Sequence, residues 1–282
     1  MCSTRSGDDP GITSNSKIRQ EETKIMSKLR KVITIVILGS NFLYAGGSVL
    51  AQPTSVMIDD LTTTEVQAAI DGGKTTAIYY VGGTHQSGPA VVLGKHNLLA
   101  SLLARRVAES LGNALAYPAN PYAPAGDPIE KTGHMRFAGT VSLSHETLAA
   151  VSRDVAVSAL AVGFTDVVML GDHGETQEVI REVAAALDAE WRSMGGRVFF
   201  IPVYQEGEDK MREILAALDV PSNRTTPIDD ASEMMALDSG NRWVRPEQLE
   251  DDIAAVASAE LGRQFIAGKV EVAVTLIREL VQ

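Results

Sequence analysis

The stretch that most constrains the fold is an apolar run of strand length, residues 166–170, which ends in the polar cluster 171–176, Gly-Asp-His-Gly-Glu-Thr. A buried strand ending in a glycine-flanked polar turn is typical of open α/β sheets, whose carboxyl strand ends face a crevice. His173 and Glu175 lie two positions apart, so on an extended segment they would project to the same side. Such a pair can bind a metal, or one member can bind it while the other moves a proton. A turn histidine and an acidic helix N-terminus explain the same residues without any chemistry.

Strand-like and helix-like segments alternate along the chain. β-branched and aromatic runs predict strands at 75–81, 114–117, 166–170 and 197–203. Apolar residues at helical spacing predict helices that begin near 61 and end at 72–73, and further helices at 97–111, 145–162, 177–194, 208–218, 230–237 and 247–281. Thr62 or Thr63 and Ser144 are the predicted N-caps, and Gly262 or Gly268 the predicted break in the last helix. The alternation predicts one α/β domain with a largely parallel β-sheet flanked by helices.

The first 51 residues differ from the rest. A basic segment begins at Met26, the apolar residues 32–44 follow, and small residues lead up to Ala51, which is the pattern of a secretory signal peptide. A transmembrane helix is the alternative, but the apolar part is short and two glycines interrupt it. We expect residues 1–51 to be an N-terminal extension with a cleaved signal peptide and residues 52–282 to be the folded domain. The product would be periplasmic or secreted, with no stable membrane anchor after cleavage.

Cysteine content and charge exclude several classes of partner. The single cysteine, Cys2, lies in the extension, so the predicted domain has no disulfide, thiolate ligand or cysteine nucleophile. The chain has a formal net charge of -11 at pH 7. Such a surface repels phosphate backbones, which argues against nucleic acid as a partner and leaves a small-molecule substrate. The sequence also contains no P-loop, no dinucleotide fingerprint and no Gly-x-Ser-x-Gly elbow.

Histidines cluster in predicted loops. His85 and His96 lie in the segment after the first strand, and His134 follows a proline-rich excursion at 113–133. Loops of that length inside compact domains are usually functional or disordered. Each of these histidines could also be a loop residue with a backbone partner, and His145 is predicted to be a solvated residue at a helix start.

Four segments resemble motifs of the creatininase (creatinine amidohydrolase) family. Residues 82–96, Gly-Gly-Thr-His-Gln-Ser-Gly-Pro-Ala-Val-Val-Leu-Gly-Lys-His, are similar to its signature Gly-Ser-x-Glu-Gln-His-Gly-Pro-His-Leu-Pro-Leu-x-x-Asp. Residues 134–143 are similar to its His-x-x-Phe-Pro-Gly-Thr-Ile-Ser-Leu, and residues 163–176 resemble its strand and Asn-Gly-His-Gly/Tyr-Glu/Gly-Asn turn. Residues 61–66 fit its opening helix. The resemblance covers about residues 58–237 in the family's order and spacing.

The resemblance implies a creatininase-like fold, a metal-dependent amidohydrolase acting on cyclic amides and related substrates, and a homo-oligomer, often a hexamer. Family sites hold two divalent metals. The signature Glu, the signature Asp and the turn His bind one metal, and these positions fall on His85, His96 and His173. The signature His, the same Asp and the acidic residue after the turn bind the other metal, and these positions fall on Ser87, His96 and Glu175.

Three of these positions depart from the family pattern, with His85 for Glu, Ser87 for His and His96 for Asp. A carboxylate can bridge two cations, whereas a neutral imidazole offers one lone pair. The second metal therefore loses its strong contacts. The predicted site is one zinc per subunit, or manganese, held by His85, His96 and His173 with an open position for water.

The predicted activity is that of a hydrolase that opens a small cyclic amide or related C-N bond with a metal-activated water. Glu175 is predicted to act as general base or as a fourth ligand, and His134 to polarise the substrate or support the ligands. A metal-dependent lactonase or lyase and a non-catalytic metal or small-molecule binding protein are the alternatives. A family histidine before the late helix falls near Thr225 and is absent; Asp229, Asp230 and Glu233 stand near that place.

Overall fold

The computed structural model describes residues 55–221, 223, 225–238, 240 and 242–281. The predicted signal peptide and the boundary at residue 51 lie outside these residues. Among them, no helix combines the length and the hydrophobicity needed to cross a bilayer.

A four-stranded sheet forms the centre of the domain. Its strands are β1 (Thr76–Val81), β2 (Ala114–Ala116), β3 (Asp166–Gly171) and β4 (Arg197–Phe200). They lie in the order β2-β1-β3-β4, and all neighbours are parallel. The central pair is in register to its end, where Val81 lies opposite Gly171. The segments that follow β1 and β3 therefore leave the sheet side by side, at the edge where such sheets place their ligands.

Helices cover both faces of the sheet. They are α1 (Thr63–Asp71), α2 (Lys95–Leu111), α3 (His145–Val162), α4 (Gln177–Trp191), α5 (Val203–Ala216), α6 (Thr225–Leu237), α7 (Asp251–Val256) and α8 (Ala259–Val281). Ile78 and Tyr80 of β1 pack into a core with α2, α5, α6 and α8, whereas Ala77 and Tyr79 pack with α1, α3 and α4. This alternation buries every residue of β1, as expected for a parallel strand covered on both sides. The predicted fold class is confirmed.

Helix ends follow the local sequence signals closely. Thr62 caps α1 through a capping box with Glu65. Ser144 caps α3 by accepting a hydrogen bond from the backbone N–H of Thr147, and Gly163, with φ 120°, ends it. These predictions hold because capping depends on residues within one turn of the helix end.

Several predicted boundaries were wrong. The helices predicted to begin at residues 208 and 230 begin at Val203 and Thr225. The C-terminal helix is interrupted at Ala257 and not at the glycines. Gly262 lies inside α8, where an added Cβ would come within 1.9 Å of the carbonyl oxygen of Ser232; the glycine lets α8 approach α6 closely. The strand predicted at 197–203 ends at Phe200, since α5 begins directly after Pro202.

Candidate metal centre

Three histidines converge beyond the carboxyl ends of β1 and β3. One ring nitrogen from each of His85, His134 and His173 lies within 4.8 Å of the other two. The ring centroid of His85 is 4.2 Å from that of His134 and 4.5 Å from that of His173. His85 and His173 are buried and His134 is half-buried. Such spacing brings the nitrogens close enough to share one ion.

The turn after β3 holds His173 rigidly. The hydroxyl of Thr176 donates to the carbonyl oxygen of His173 at 2.6 Å, and the side-chain amide of Gln177 donates to the same oxygen at 2.9 Å. A Cβ at Gly171 would come within 2.4 Å of the Thr176 hydroxyl oxygen. A glycine at the strand end is therefore needed for this turn to close.

His134 reaches the site from the proline-rich excursion. It lies in a 3-10 turn, Gly133–Arg136, and its backbone N–H donates to the carbonyl oxygen of Ala125 at 2.9 Å. Gly126 has φ 111°, and a Cβ there would lie 2.2 Å from the carbonyl oxygen of Thr132. The excursion folds back on itself through this close contact, and the contact places His134 opposite His85.

Each of the three histidines has a nitrogen without a partner. His85 Nε2, His134 Nδ1 and His173 Nδ1 are buried and have no hydrogen bond within the described part of the chain. Leaving such an atom unpaired costs about 1–3 kcal/mol, so a native site supplies a partner. His85 Nδ1 lies 3.0 Å from the carbonyl oxygen of Gln86. This contact makes Nδ1 the donor and leaves the Nε2 lone pair for a ligand.

Burial keeps the rings of His85 and His173 neutral. It lowers the pKa of His85, and burial followed by repulsion from His85 and His96 lowers the pKa of His173 to about 3. A neutral imidazole at pH 7 is the form that binds a metal. The group therefore has the spacing of a preformed metal site, and His85 and His173 have the protonation state of metal ligands.

His96 lies beside this group but pairs with Asp172. His96 Nδ1 is 2.7 Å from Asp172 Oδ2, and both side chains are buried. The His96 ring centroid lies 4.5 Å from that of His85 and 5.5 Å from that of His173. Burial and then the charge of Lys95 hold the pKa of His96 well below its ordinary value.

A cavity of about 380 Å³ opens over the site. Lys95 and Lys269 also line it, and each is buried in an ion pair, Lys95 with Asp230 and Lys269 with Glu233, the latter at 2.7 Å. The residues that bear on its chemistry are His85, His96, His134, His173, Asp172, Lys95, Lys269, Asp229, Asp230, Ser87, Tyr80 and Tyr204. Burial, followed by the nearby carboxylates Asp230 and Glu233, raises the pKa of Asp229 well above its ordinary value.

The structure rearranges the predicted site. It brings His85 and His173 together as expected and adds His134, which was predicted to be catalytic, as the third nitrogen. His96 begins helix α2 instead of lying in a loop, and it falls outside the three-nitrogen group. Glu175 is exposed and does not line the cavity. Because residues Gly174–Thr176 form a 3-10 turn, the segment is not extended, and Glu175 does not share a side with His173.

Sequence reasoning missed Asp172 and the two lysines. Asp172 stands where the family turn has glycine, and His96 stands where the family signature has Asp. Two such departures that compensate each other could have indicated a contact. Lys269 carried a weaker signal, as a lysine on the buried face of α8 next to Ile266 and Ala273.

The chain matches known proteins along most of its length. The Creatininase family model, described as creatinine amidohydrolase, matches residues 59–252. Among solved structures, creatinine amidohydrolase (creatininase) is 22% identical with a TM-score of 0.65, covering 80% of this chain and 98% of that one. A structure named "Creatininase Mn" is 23% identical with a TM-score of 0.66 over the same shares. A putative creatinine amidohydrolase from Bacteroides fragilis is 15% identical with a TM-score of 0.61, covering 82% and 98%. A search of curated proteins gave no match.

The structural matches show the shared fold, and the family model covers well over half of the chain. The family and the three-histidine group support a metal-dependent amidohydrolase as the general class of activity. On this basis the chain belongs to the creatininase family.

Proposed function

We propose that this protein is a metal-dependent hydrolase that opens a small cyclic amide or related C-N bond with a metal-activated water. The observation that carries the proposal is a group of three histidines in a cavity at the carboxyl ends of the central strands. One ring nitrogen of each lies within 4.8 Å of the other two, and each ring has a buried nitrogen without a hydrogen-bond partner in the described part of the chain. An amide small enough for a cavity of about 380 Å³ can bring its carbonyl against an ion held there.

The proposed metal is one zinc per chain. Three neutral nitrogen donors with a free coordination position are the usual protein contribution to catalytic zinc. One related structure is named for manganese and another for a Zn-Zn type, but manganese favours carboxylate and water oxygens over imidazole. Within the described residues, His85, His134 and His173 are the one group of three or more potential ligands close enough to hold an ion.

The buried charges also support a divalent cation. Two lysines, Lys95 and Lys269, face four carboxylic acids, Asp172, Asp229, Asp230 and Glu233, all of them buried. If all four acids were ionised, the cluster would hold an excess of two negative charges, which is costly in a low-dielectric interior. A divalent ion at the three histidines would offset that excess; burial and then the excess otherwise raise the pKa of Asp229.

A bound zinc would supply Lewis acidity and would lower the pKa of its water. The chain's own residues would hold the ion and shape its surroundings. His85, His134 and His173 hold the ion, with the ring of His85 fixed by its hydrogen bond to the Gln86 carbonyl oxygen. The two lysine ion pairs place buried charges beside the cavity.

Metal binding tests the first half of the proposal. We expect the purified chain, stripped with a chelator and titrated with zinc, to bind one equivalent. His85→Ala, His134→Ala and His173→Ala should each weaken zinc binding by at least about tenfold, the scale of losses seen for groups that support metal sites. The matched control is His145→Ala, because His145 is an exposed histidine at the start of α3. Equal zinc affinity in all four variants would refute the site.

Turnover tests the second half. Zinc-loaded protein should convert a member of a panel of lactams, cyclic ureides and creatinine to a product heavier by one water, detected by mass spectrometry. Zinc binding with hydrolysis of lactones alone would replace the amidase with a lactonase. Zinc binding without any hydrolysis would favour a binding protein.

Export and self-assembly are also proposed. The signal-peptide pattern ending at Ala51 supports a periplasmic or secreted location, and the family resemblance supports a homo-oligomer. Cell fractionation and light scattering on the purified chain test the two. A cytoplasmic chain of full length would contradict the first, and a monomer at micromolar concentration would contradict the second.

A further inference from the structure

The pair His96 and Asp172 is buried beside the metal group without belonging to it. His96 lies in the first turn of α2 and Asp172 lies directly after β3, so the packing of this helix against the sheet brings the two residues together. The contact between Nδ1 and Oδ2 is 2.7 Å, and both residues line the cavity. A buried polar contact of this length holds both side chains in one orientation.

The pair fixes which nitrogen of His96 is available. A carboxylate can only accept, so Nδ1 donates its hydrogen to Asp172, and Nε2 keeps its lone pair. In the described part of the chain, the contact with Asp172 is the one hydrogen bond that the His96 side chain makes. Nε2 is thus an acceptor with no protein donor, on a ring whose centroid is 4.5 Å from that of His85.

Two other buried acids are already paired with lysines. Asp230 is paired with Lys95, and Glu233 is paired with Lys269. Glu175, the predicted base, is exposed outside the cavity. His96, whose ring lies next to that of His85, therefore offers an acceptor that a water molecule there can use.

We propose that His96 Nε2 accepts a hydrogen bond from the attacking water and orients its lone pair toward the substrate carbonyl, and that Asp172 is the positioning residue that holds His96 in this orientation. This inference rests on the proposed function, because the water attacks from the metal site. It assigns His96 a catalytic place different from the ligand place that the family pattern predicts. It also explains why a carboxylate is buried at position 172, where it touches no metal-site nitrogen directly.

The test separates metal binding from water orientation. His96→Phe keeps an aromatic ring and removes both nitrogens. Asp172→Asn keeps the shape, but its amide can donate to Nδ1 and so place the hydrogen on Nε2. We expect both variants to bind one equivalent of zinc with wild-type affinity. With p-nitrophenyl acetate as probe substrate, kcat should fall by about 100-fold or more while KM changes little.

A second readout needs no turnover. Acetohydroxamate binds to a metal and presents hydrogens where the water would lie. Its affinity for the cobalt-substituted protein, followed by visible absorption, should fall about tenfold in His96→Phe and Asp172→Asn, as expected for loss of one buried hydrogen bond. His145→Phe is the control and should leave both readouts unchanged.

Several outcomes overturn the inference. Loss of zinc in His96→Phe would make His96 a ligand, and the proposed function would stand without this inference. Retained zinc with wild-type kcat and wild-type acetohydroxamate affinity would also refute it. Failure of the wild-type chain to bind zinc would refute the proposed function itself. If His96→Phe does not fold, Asp172→Asn decides, since it changes no side-chain volume.

Discussion

Lys95 and Asp230 form a buried ion pair that joins the first turn of α2 to α6. Burial by itself would lower the pKa of Lys95, but the carboxylates of Asp230, Asp172 and Asp229 outweigh it and leave that pKa above its ordinary value. The lysine therefore stays charged beneath the cavity. The pair links the residue next to His96 to the helix that carries Asp229 and Glu233, so the wall of the site is built from segments far apart in sequence.

Removing one partner of this pair should be costly. Lys95→Met leaves Asp230 as a buried charge without its cation, and we expect the free energy of unfolding to fall by about 3–5 kcal/mol. Urea denaturation of the metal-free chain measures the change. The matched control is Arg181→Met, which breaks an exposed pair with Glu178 and should cost less than about 1 kcal/mol. Similar losses in both variants would show that the buried pair stabilises the fold no more than an exposed pair does.

The pH dependence of stability should reveal the neutral histidines. The pKa of His173 is about 3 in the folded chain against an ordinary value of 6.5. Between pH 3 and pH 6.5, His173 is therefore protonated in the unfolded chain but not in the folded chain. Its contribution to the free energy of unfolding is fully present above pH 6.5 and is lost as the pH falls toward 3. At pH 5 the loss from this residue is about 2 kcal/mol relative to pH 7.5.

The matched variant isolates that effect. Buried carboxyl groups such as Asp172 and Asp229 have raised pKa values and stabilise the fold more at low pH. The dependence of the wild-type free energy of unfolding on pH therefore contains both contributions. The difference between wild type and His173→Gln cancels the shared terms. We expect this difference, measured by urea denaturation without metal, to change by about 2 kcal/mol between pH 7.5 and pH 5. An unchanged difference would mean that His173 titrates normally.

Two glycines of α8 should respond oppositely to a methyl group. In Gly262→Ala the Cβ would lie 1.9 Å from the Ser232 carbonyl oxygen, so the backbone of α6 has to move. We expect a loss of about 1–3 kcal/mol or more. In Gly268→Ala the nearest atom is Lys210 Cγ at 3.2 Å, on a flexible side chain. Alanine is the better helix former by about 1 kcal/mol, so this variant should be neutral or more stable. Thermal unfolding measures the stability of both variants. Equal changes in stability would contradict the close contact between α8 and α6.

Local signals predicted the fold better than they predicted the site. β1, β3, the Thr62 cap and the Ser144 cap depend on neighbours within a few residues, and the sequence alone located them. His173 was predicted because it follows a strand end that faces the crevice, and His85 because it falls on a metal-ligand position of the creatininase signature. Glu175 was misplaced because its direction depends on a 3-10 turn that no residue pattern marked. His96 was assigned to the metal because its actual partner, Asp172, is 76 positions away, and only the pairing of β1 with β3 brings them into contact.

His134 offers the last prediction, since the metal site depends on a backbone contact outside it. Gly126 permits the excursion to fold back at φ 111°, and a Cβ there would lie 2.2 Å from the Thr132 carbonyl oxygen, two residues before His134. Gly126→Ala should displace the turn and weaken zinc binding by about tenfold or more, the scale expected when support of a ligand is lost, while His85 and His173 keep their places. Gly94→Ala is the control, because an added Cβ meets open space and the backbone there is not left-handed. Competition with a chromophoric chelator measures both affinities. Wild-type zinc affinity in Gly126→Ala would show that the site closes without His134 and would reduce the metal centre to His85 and His173.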